Sequence, residues 1–280
     1  MDETSVSHNE TRYTHGHSDA VLRSHRWRNA QNSAAYLLPH LEPAMHLLDV
    51  GCGPGTLSID LARHVAPGRV LGVDLDPSVV AEATRTAEGS GLDISFVTGD
   101  FAEVDTPAVG FDVVHAHQVL QHVGDPVGTL RSMALLARPG GIIAARDADY
   151  PAMTWFPREP LLDRWLDMYM AVTTRNGANA DGGRQLLHWA QQAGLHDIVY
   201  TTSTWTFYTT EDLAWWTTLW ADRVTTSRLA HMAVEYGIAT GDELDDMGQA
   251  WRAWGTQPGA AFIVMHGEII ARTSSTPRVL

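Results

Sequence analysis

The chain has 280 residues, enough for one or two domains, and 44% hydrophobic with 19% charged residues is an ordinary globular composition. Nineteen basic against 33 acidic residues give a formal net charge of −14, which argues against nucleic acid or an anionic membrane as a partner, because both bind basic surfaces. No apolar run is long enough for a membrane helix, and the polar N-terminus argues against a signal peptide. The single Cys52 excludes an internal disulfide. A cytoplasmic protein is therefore expected.

The first predicted element is a helix over residues 17–41, where apolar side chains recur at helical spacing. A short apolar run at 45–50 predicts a buried strand. This strand stops at a glycine-rich turn, 51–55, and the residues from Thr56 onwards predict a second helix. A strand, a glycine turn and a helix in this order are typical of the first unit of a parallel α/β sheet.

Four more strands are predicted in the first half of the chain, and helices separate several of them. The strands are 69–73, 94–97, 111–115 and 142–145, and the helices are 78–88 and 126–137. Short β-branched runs that alternate with helices indicate parallel strands joined by right-handed crossovers. The pattern therefore predicts a doubly wound sheet.

The alternation ends after Tyr150. Helices are predicted around 161–172 and 185–192, and two strand-like runs follow at 197–207 and 260–271. We expect these last two runs to form an antiparallel edge. The fold class is then α/β, with a mostly parallel, seven-stranded, Rossmann-like sheet and helical lid insertions over the carboxyl ends of its strands.

Tryptophan is concentrated in the second half, which holds nine of the ten tryptophans. Two amphipathic helical patterns between the last two strands carry several of them. These side chains could form a packed core or the wall of a large apolar cavity, and the sequence pattern fits both explanations equally. A buried contact in a homodimer is a third explanation.

The polar residues that follow the strands indicate a ligand site, because ligands of open α/β sheets bind at the carboxyl ends of the strands. The turn reads G-x-G-x-G, with Thr56 where the dinucleotide-binding pattern has its last glycine. Pro54 offers no N–H to a diphosphate, and Asp49 adds negative charge before the turn. An uncharged or cationic nucleoside-like ligand fits this turn better.

Two further aspartates extend this site. Asp74 ends the second strand and can accept both hydroxyls of a ribose. Asp100 ends the third strand and can accept a hydrogen bond from an adenine amino group, while Phe101 packs on the ring. A single aspartate after a strand is more often a loop or helix-capping residue, but three in order beside a glycine turn favour a binding site.

This layout resembles the class I S-adenosylmethionine-dependent methyltransferases over about residues 45–150, and most closely the quinone-biosynthesis-like C-methyltransferases and their natural-product relatives. The segments that carry the likeness are LLDVGCGPGT (47–56), GVDLDP (72–77), VTGDF (97–101), FDVVH (111–115), VLQHV (119–123) and RPGG (138–141). A weaker likeness at the N-terminus, YTHGH (13–17) and HRWR (25–28), is to a helix that those enzymes fold over the cofactor.

The resemblance implies a role for individual residues. It places Asp49, Gly51 and Gly53 at the methionine part of S-adenosylmethionine. It places Asp74 at the ribose, with the neighbouring Leu75 also in contact with the cofactor. Further cofactor contacts would be Asp100 and Phe101 at the adenine, His117 and Gln118 near the sulfonium and methyl, and Tyr13 and Arg28 from the lid.

Methyl transfer needs a base only if the acceptor must lose a proton. Among the histidines predicted near the site, His117 and His122 are the best catalytic candidates because they follow the fourth strand, whereas His115 alternates to the other side and is expected to be packed. A hydrogen-bonded structural histidine is the commoner alternative for each. The histidine spacings do not fit a metal-binding helix, so no metal is expected.

The sequence thus predicts an S-adenosylmethionine-dependent methyltransferase that acts on a small, mainly apolar or aromatic acceptor by C- or O-methylation. Residues 1–40 would form a helical lid, 41–150 the cofactor-binding core, and 151–280 the rest of the sheet with a tryptophan-rich substrate cap. The alternatives are a non-catalytic protein that senses S-adenosylmethionine and, disfavoured by Pro54 and Thr56, a nicotinamide-dependent oxidoreductase.

Overall fold

Eight strands form one mixed sheet in the computed structural model, which describes residues 24–275. The strand order is β3-β2-β1-β4-β5-β8-β6, and β7 also pairs with β8. The bounds are β1 Leu47–Val50, β2 Val70–Asp74, β3 Ile94–Thr98, β4 Phe111–His117, β5 Ala137–Ala148, β6 Thr154–Phe156, β7 His196–Phe207 and β8 Ala261–Arg272. The first five strands are parallel, and β6, β7 and β8 form the antiparallel edge.

The helices lie between and after these strands. Their bounds are α1 Ala30–Ser33, α2 Thr56–Val65, α3 Pro77–Ala87, α4 Pro126–Leu136, α5 Pro160–Arg175, α6 Gly182–Gln192, α7 Thr210–Thr226, α8 Arg228–Glu235 and α9 Gly241–Trp254. Proline at the first position of α3, α4 and α5 suits that position, which makes no intrahelical N–H bond. The predicted α/β fold with a mostly parallel sheet and an antiparallel edge is confirmed.

Two predicted details are wrong. The sheet has eight strands instead of seven, because the three residues of β6 pair with β8 and carry no alternating pattern long enough to show in the sequence. Within the described residues, the single helix predicted over 17–41 is broken. Asn29 caps the one-turn helix α1 with its side chain, and a 3₁₀ turn containing Pro39 follows.

The core divides into an aliphatic part around the parallel strands and an aromatic part built by the second half of the chain. In the aromatic part, the ring of Trp165 lies 4.5 Å from that of Trp220 and 4.9 Å from that of Trp251, in edge-to-face geometry. All three side chains are fully buried. Helices α5, α7 and α9 are therefore held together mainly by aromatic packing.

In the part of the chain that the structure describes, no helix is both long enough and apolar enough to cross a membrane.

Candidate active site

A cavity of about 770 Å³ lies at the carboxyl ends of the parallel strands. Its walls come from the glycine turn after β1, the loops after β2, β3 and β4, and residues of the segment 25–28, α7 and α8. This is the edge at which open α/β sheets bind ligands. The cavity therefore lies between the edge of the sheet and the segments added outside it.

The glycine turn forms the floor of this cavity. Gly51, Gly53 and Gly55 all have positive φ angles, between 56° and 79°, a backbone region that other residues adopt only with strain. A Cβ on Gly51 would lie 2.6 Å from a methyl of Val119, so this position also needs glycine for space. The turn thus exposes bare main chain to a ligand and packs the loop after β4 against it.

Asp74, at the end of β2, is fixed by two backbone N–H groups. One carboxylate oxygen accepts from Gly53 N at 3.0 Å, and the other from Asp76 N at 3.1 Å. The next residue, Leu75, lines the cavity with 76% of its surface exposed. An anionic acceptor for hydroxyl groups and an uncovered apolar side chain therefore stand side by side, as a nucleoside requires.

Asp100 and Phe101 line the same end of the cavity. One oxygen of Asp100 accepts from Ala102 N at 2.9 Å and begins a short 3₁₀ turn. The other oxygen of the Asp100 carboxylate takes no part in this turn. Phe101, the next residue in the chain, is half-buried. Both residues therefore line the cavity, and their contact with an adenine stays a prediction.

Asp49 lines the cavity but is already engaged by the protein. It is buried at the end of β1, where one oxygen lies 2.7 Å from His115 Nδ1 and the other accepts from the Ser58 hydroxyl. Ser58 belongs to α2, so the carboxylate joins β1, β4 and the helix that follows the glycine turn. Asp49 therefore positions this turn and stands in the wall of the cavity. His115 is fully buried, as expected, but it does not lie on the other side of β4: it is two residues from His117 and shares its face of the sheet.

A row of buried polar side chains crosses four neighbouring strands. Asp49, His115, His117, Arg146 and Glu268 lie on β1, β4, β5 and β8 at adjacent register positions. Arg146 pairs with Glu268 at 3.0 Å. Neither ring nitrogen of His117 has a hydrogen-bond partner within the described residues, although the side chain is buried and lines the cavity. His117 therefore retains its full hydrogen-bonding capacity for a ligand.

Gln118, directly after β4, is fixed from two sides. Its side-chain oxygen accepts from Arg28 Nη2 at 2.6 Å, so its amide nitrogen is the group that lies 2.9 Å from His266 Nε2. Its backbone has φ of 54°, in the left-handed region, which costs a residue with a side chain of order 1 kcal/mol. Strained backbone in a cavity wall is common at functional sites, and here it turns the chain between His117 and Val119.

His122 also lines the cavity. Gln121 accepts from Ala148 N with its side-chain oxygen, so its amide nitrogen donates to His122 Nε2 at 3.0 Å. An acceptor nitrogen means a neutral imidazole. Burial lowers the pKa of His122 to about 3, and the charge of Arg28 acts in the same direction.

The pKa of His117 is also lowered well below its ordinary value of 6.5, first by burial and then by the charges of Arg28 and Arg146. The structure therefore places His117 and His122 at the cavity, where their low pKa values argue against a general base near neutral pH, and their catalytic role stays a prediction. Neither has a pKa near neutrality. Both are neutral hydrogen-bonding groups in this state of the protein.

The segment 24–28 covers part of the cavity and is tied to the core. Arg26 forms a bidentate ion pair with Glu82 of α3, with N–O distances of 2.6 and 2.9 Å. Thr56, at the start of α2, donates to His25 O at 3.1 Å. Arg28 lines the cavity as the resemblance implies, whereas Tyr13 lies outside the described residues.

A family model described as a methyltransferase domain matches residues 41–200, more than half of the 280-residue chain. The chain belongs to this methyltransferase family. An uncharacterized methyltransferase of Schizosaccharomyces pombe is 28% identical over 278 residues, which cover 92% of this chain and 95% of that protein. The ubiquinone biosynthesis O-methyltransferase of Coxiella burnetii is 40% identical over 96 residues, which cover 34% of this chain and 40% of that protein.

The fold agrees with this membership. Phosphoethanolamine N-methyltransferase 2 of Haemonchus contortus, solved with phosphomonomethylethanolamine and S-adenosylhomocysteine, matches with a TM-score of 0.56 at 14% identity, over 92% of this chain and 58% of that chain. The resemblance to the class I S-adenosylmethionine-dependent methyltransferases is confirmed. The narrower likeness to quinone biosynthesis enzymes is partial, and the relative found is an O-methyltransferase.

Several residues that line this methyltransferase cavity are not among the site residues predicted from the sequence, and those from the second half of the chain are Tyr150, Arg223 and Arg228. The strand pattern places Tyr150 only near the carboxyl edge of the sheet. Arg223 and Arg228 lie at the end of α7 and the start of α8, where the sequence shows only helical spacing. No tryptophan is among the described residues that line this cavity, so the tryptophans of the second half act as packed core here.

Proposed function

We propose that this methyltransferase transfers a methyl group from S-adenosylmethionine to a small-molecule acceptor, by C- or O-methylation. The observation that carries the proposal is a single cavity with two unlike halves. One half holds the glycine turn, Asp74 and Asp100 at the ends of β1 to β3. The other half holds His117, His122 and Tyr150, and it gives an acceptor room next to the cofactor.

The residues of the first half fit S-adenosylmethionine. Asp74 can accept the ribose hydroxyls, and Leu75 and Phe101 supply apolar surface for the adenine, with Asp100 beside them. The exposed main chain at Gly53 leaves room for the methionine part, since among the described residues a Cβ there would meet only His25 within 4 Å, at 3.7 Å. When bound, the cofactor supplies a methyl group on a cationic sulfonium, which is a strong electrophile.

The chain's own residues then have to position and enclose the acceptor. In-line methyl transfer is accelerated mainly by holding the reacting atoms in line and excluding water. Gln118, fixed between Arg28 and His266, provides a rigid wall after β4. The neutral imidazole of His117 can donate one hydrogen bond to an acceptor and accept another.

The low pKa values of His117 and His122 bear on the kind of acceptor. A histidine that stays neutral is a weak base, so the acceptor atom would have to be ionised already, or be a nucleophilic carbon. Arg28 and Arg223 line this cavity and would repel a protonated amine. These observations favour C- or O-methylation over N-methylation.

An apolar or aromatic body for the acceptor remains our proposal, but its support differs from that offered by the sequence. The tryptophans lie elsewhere in the core. Val119, Val123 and Tyr150 supply the apolar surface of this half of the cavity, and Tyr150 stacks on Tyr169 with ring centroids 3.9 Å apart. A small acceptor with an aromatic or short aliphatic body suits this wall.

Calorimetric titration with S-adenosylhomocysteine and with NAD⁺ tests the cofactor. We expect saturable binding of S-adenosylhomocysteine and none of NAD⁺, because Pro54 and Asp49 disfavour a diphosphate. Conversion of S-adenosylmethionine to S-adenosylhomocysteine, followed by mass spectrometry with a panel of phenols, enols and carboxylic acids, tests the reaction. Binding of NAD⁺ instead would support an oxidoreductase, and cofactor binding without turnover on any acceptor would support a sensing protein.

A further inference from the structure

The charges that line the cavity are separated by sign. Its four carboxylates, Asp49, Asp74, Asp76 and Asp100, all come from residues 49–100, at the cofactor half. Among the described lining residues from 101 onwards there is no Asp or Glu. One half of the cavity is therefore acidic, and the described lining of the other half has no carboxylate. Such a cavity can distinguish an anionic ligand from a cationic one.

Besides Arg28, which donates to Gln118, two arginines stand at this second half. Arg223, near the end of α7, is buried, and its guanidinium lies 5.1 Å above the ring of Trp220 while Nη2 donates to Ser24 Oγ at 2.6 Å. Burial raises the pKa of Tyr150, and the positive charge of Arg223 partly opposes this rise, as expected for two groups that lie close to each other. Arg223 therefore brings a fixed positive charge to the wall that contains Tyr150.

Arg228 is the first residue of α8 and lies at the exposed rim of the same cavity. Its side chain makes no ion pair or hydrogen bond with other described residues. This half of the cavity thus has a positive charge at its exposed rim, on Arg228, and another in its buried wall, on Arg223. Such an arrangement attracts an anion and repels a cation.

We infer that the acceptor carries an anionic group, a carboxylate or a phosphate, that binds to Arg223 and Arg228. Guanidinium groups match both anions through paired N–H donors. The inference rests on the proposed function, because it concerns the acceptor half of that same cavity. The neutral His117 and His122 can add hydrogen bonds to this acceptor without changing the charge balance.

Ligand-observed NMR titration of the complex with S-adenosylhomocysteine tests the inference. The probes are two matched pairs: 4-hydroxybenzoate with 4-hydroxybenzamide, and phenyl phosphate with phenol. We expect at least one acid to bind about tenfold more tightly than its neutral partner, a gain typical of a charge-assisted hydrogen bond. Which acid wins distinguishes a carboxylate site from a phosphate site.

In the double variant R223Q/R228Q, the acid should lose about tenfold in affinity while the neutral probe changes little. The control R69Q/R85Q removes two exposed arginines outside the cavity and makes the same change in net charge. The single variant R228Q, at an exposed position, covers the case in which loss of the buried Arg223 impairs folding, and it should lose part of the acid preference.

Equal affinity for acid and neutral probe in the unmodified protein would overturn the inference, as would an acid preference that survives in R228Q and in the double variant. Failure of both acids to bind the complex counts against it equally. Failure of S-adenosylhomocysteine itself to bind would instead remove the proposed function. The two failures are therefore distinguishable in one set of titrations.

Discussion

Asp74 is the residue on which the cofactor half of the cavity depends most directly. Its carboxylate accepts from Gly53 N and Asp76 N, so it orders two loops. We propose that its remaining lone pairs accept from a ribose. We expect Asp74→Asn to weaken binding of S-adenosylhomocysteine by about 1–3 kcal/mol, because a charged acceptor of two hydroxyls becomes a neutral one. Isothermal titration calorimetry measures the change.

Asp105→Asn is the matched control for this change, since Asp105 is exposed and does not line the cavity. Its affinity for S-adenosylhomocysteine should equal that of the unmodified protein. Equal affinity in the Asp74 variant would remove Asp74 from the binding site and leave it as a structural residue of the turn.

The cavity histidines give a second prediction at the scale of single residues. Burial holds the pKa of His117 well below 6.5 and that of His122 at about 3. Both rings should therefore remain neutral from pH 8 down to about pH 5, whereas free histidine titrates near 6.5. Side-chain ¹⁵N shifts, recorded across this range with His117→Gln and His122→Gln for assignment, report the charge of each ring. A midpoint near pH 6.5 for either ring would restore it as a candidate base.

Sequence reasoning found those site residues whose position follows from the strand pattern. Asp74 ends β2, Asp100 follows the end of β3 by two residues and Gln118 comes directly after β4, and the parallel sheet places such residues at one edge. It did not find Arg223 and Arg228, because they reach the cavity only through the packing of α7 and α8 on the rest of the chain. It also could not foresee the low pKa values, since burial of a side chain depends on its tertiary neighbours.

The glycine turn is the element whose shape the site requires. At Gly51, φ is 65° and a Cβ would lie 2.6 Å from a methyl of Val119. At Gly89, φ is 74° and a Cβ would meet no atom of residues 24–275 within 4 Å. Gly51→Ala and Gly89→Ala thus share the backbone strain and differ in the steric clash. We expect Gly89→Ala to cost about 1–2 kcal/mol of unfolding free energy, and Gly51→Ala about 1–3 kcal/mol more.

Urea unfolding of the two glycine variants measures these costs. Because the clash also moves Val119 or the turn, Gly51→Ala should lose affinity for S-adenosylhomocysteine, and Gly89→Ala should not. If the two variants are equally stable and bind equally well, the turn tolerates a side chain at position 51 and its shape is not what the ligand needs.

At the scale of elements, the strands of the parallel sheet were predictable because their apolar runs are bounded by glycine, proline and aspartate. The helix predicted over 17–41 was wrong in its described part, since local capping by Asn29 outweighed the apolar spacing. The helices rich in tryptophan were placed correctly along the chain. Periodicity alone could not tell whether they face a cavity or a core, because both present the same apolar stripe.

At the scale of the whole molecule, the burial of titratable groups couples stability to pH. Burial raises the pKa of Asp147 from 3.8 to about 7, and lowers the pKa of His117, His122 and His266 below 6.5. The three histidines contribute stability that is present above pH 6.5 and is lost as the pH falls, because the unfolded chain takes up their protons. Asp147 acts in the opposite direction, since the folded state binds its proton up to about pH 7.

Between about pH 6 and pH 5, the unfolded state should bind nearly three more protons at the histidines and one fewer at Asp147, a net of about two. Each proton changes the unfolding free energy by about 1.4 kcal/mol per pH unit, so these groups together lower it by about 2–3 kcal/mol as the pH falls by one unit. Urea unfolding at a series of pH values measures this slope. Stability that stays constant or rises over this range would mean that the histidines are protonated in the folded protein.

The variant Asp147→Asn isolates the contribution of Asp147 to the pH dependence of the unfolding free energy. The amide that replaces the carboxylate can still accept from Gln121 N, which lies 3.0 Å from the Asp147 carboxylate, but it cannot bind a proton. The variant therefore lacks the proton at Asp147 that opposes the effect of the histidines, and its slope should be steeper by about 1.4 kcal/mol per pH unit. Every other titrating group contributes equally to both proteins. Parallel slopes would show that Asp147 is ionised in the folded state, which would require a positive group or water at its second oxygen, an atom without a hydrogen-bond partner among the described residues.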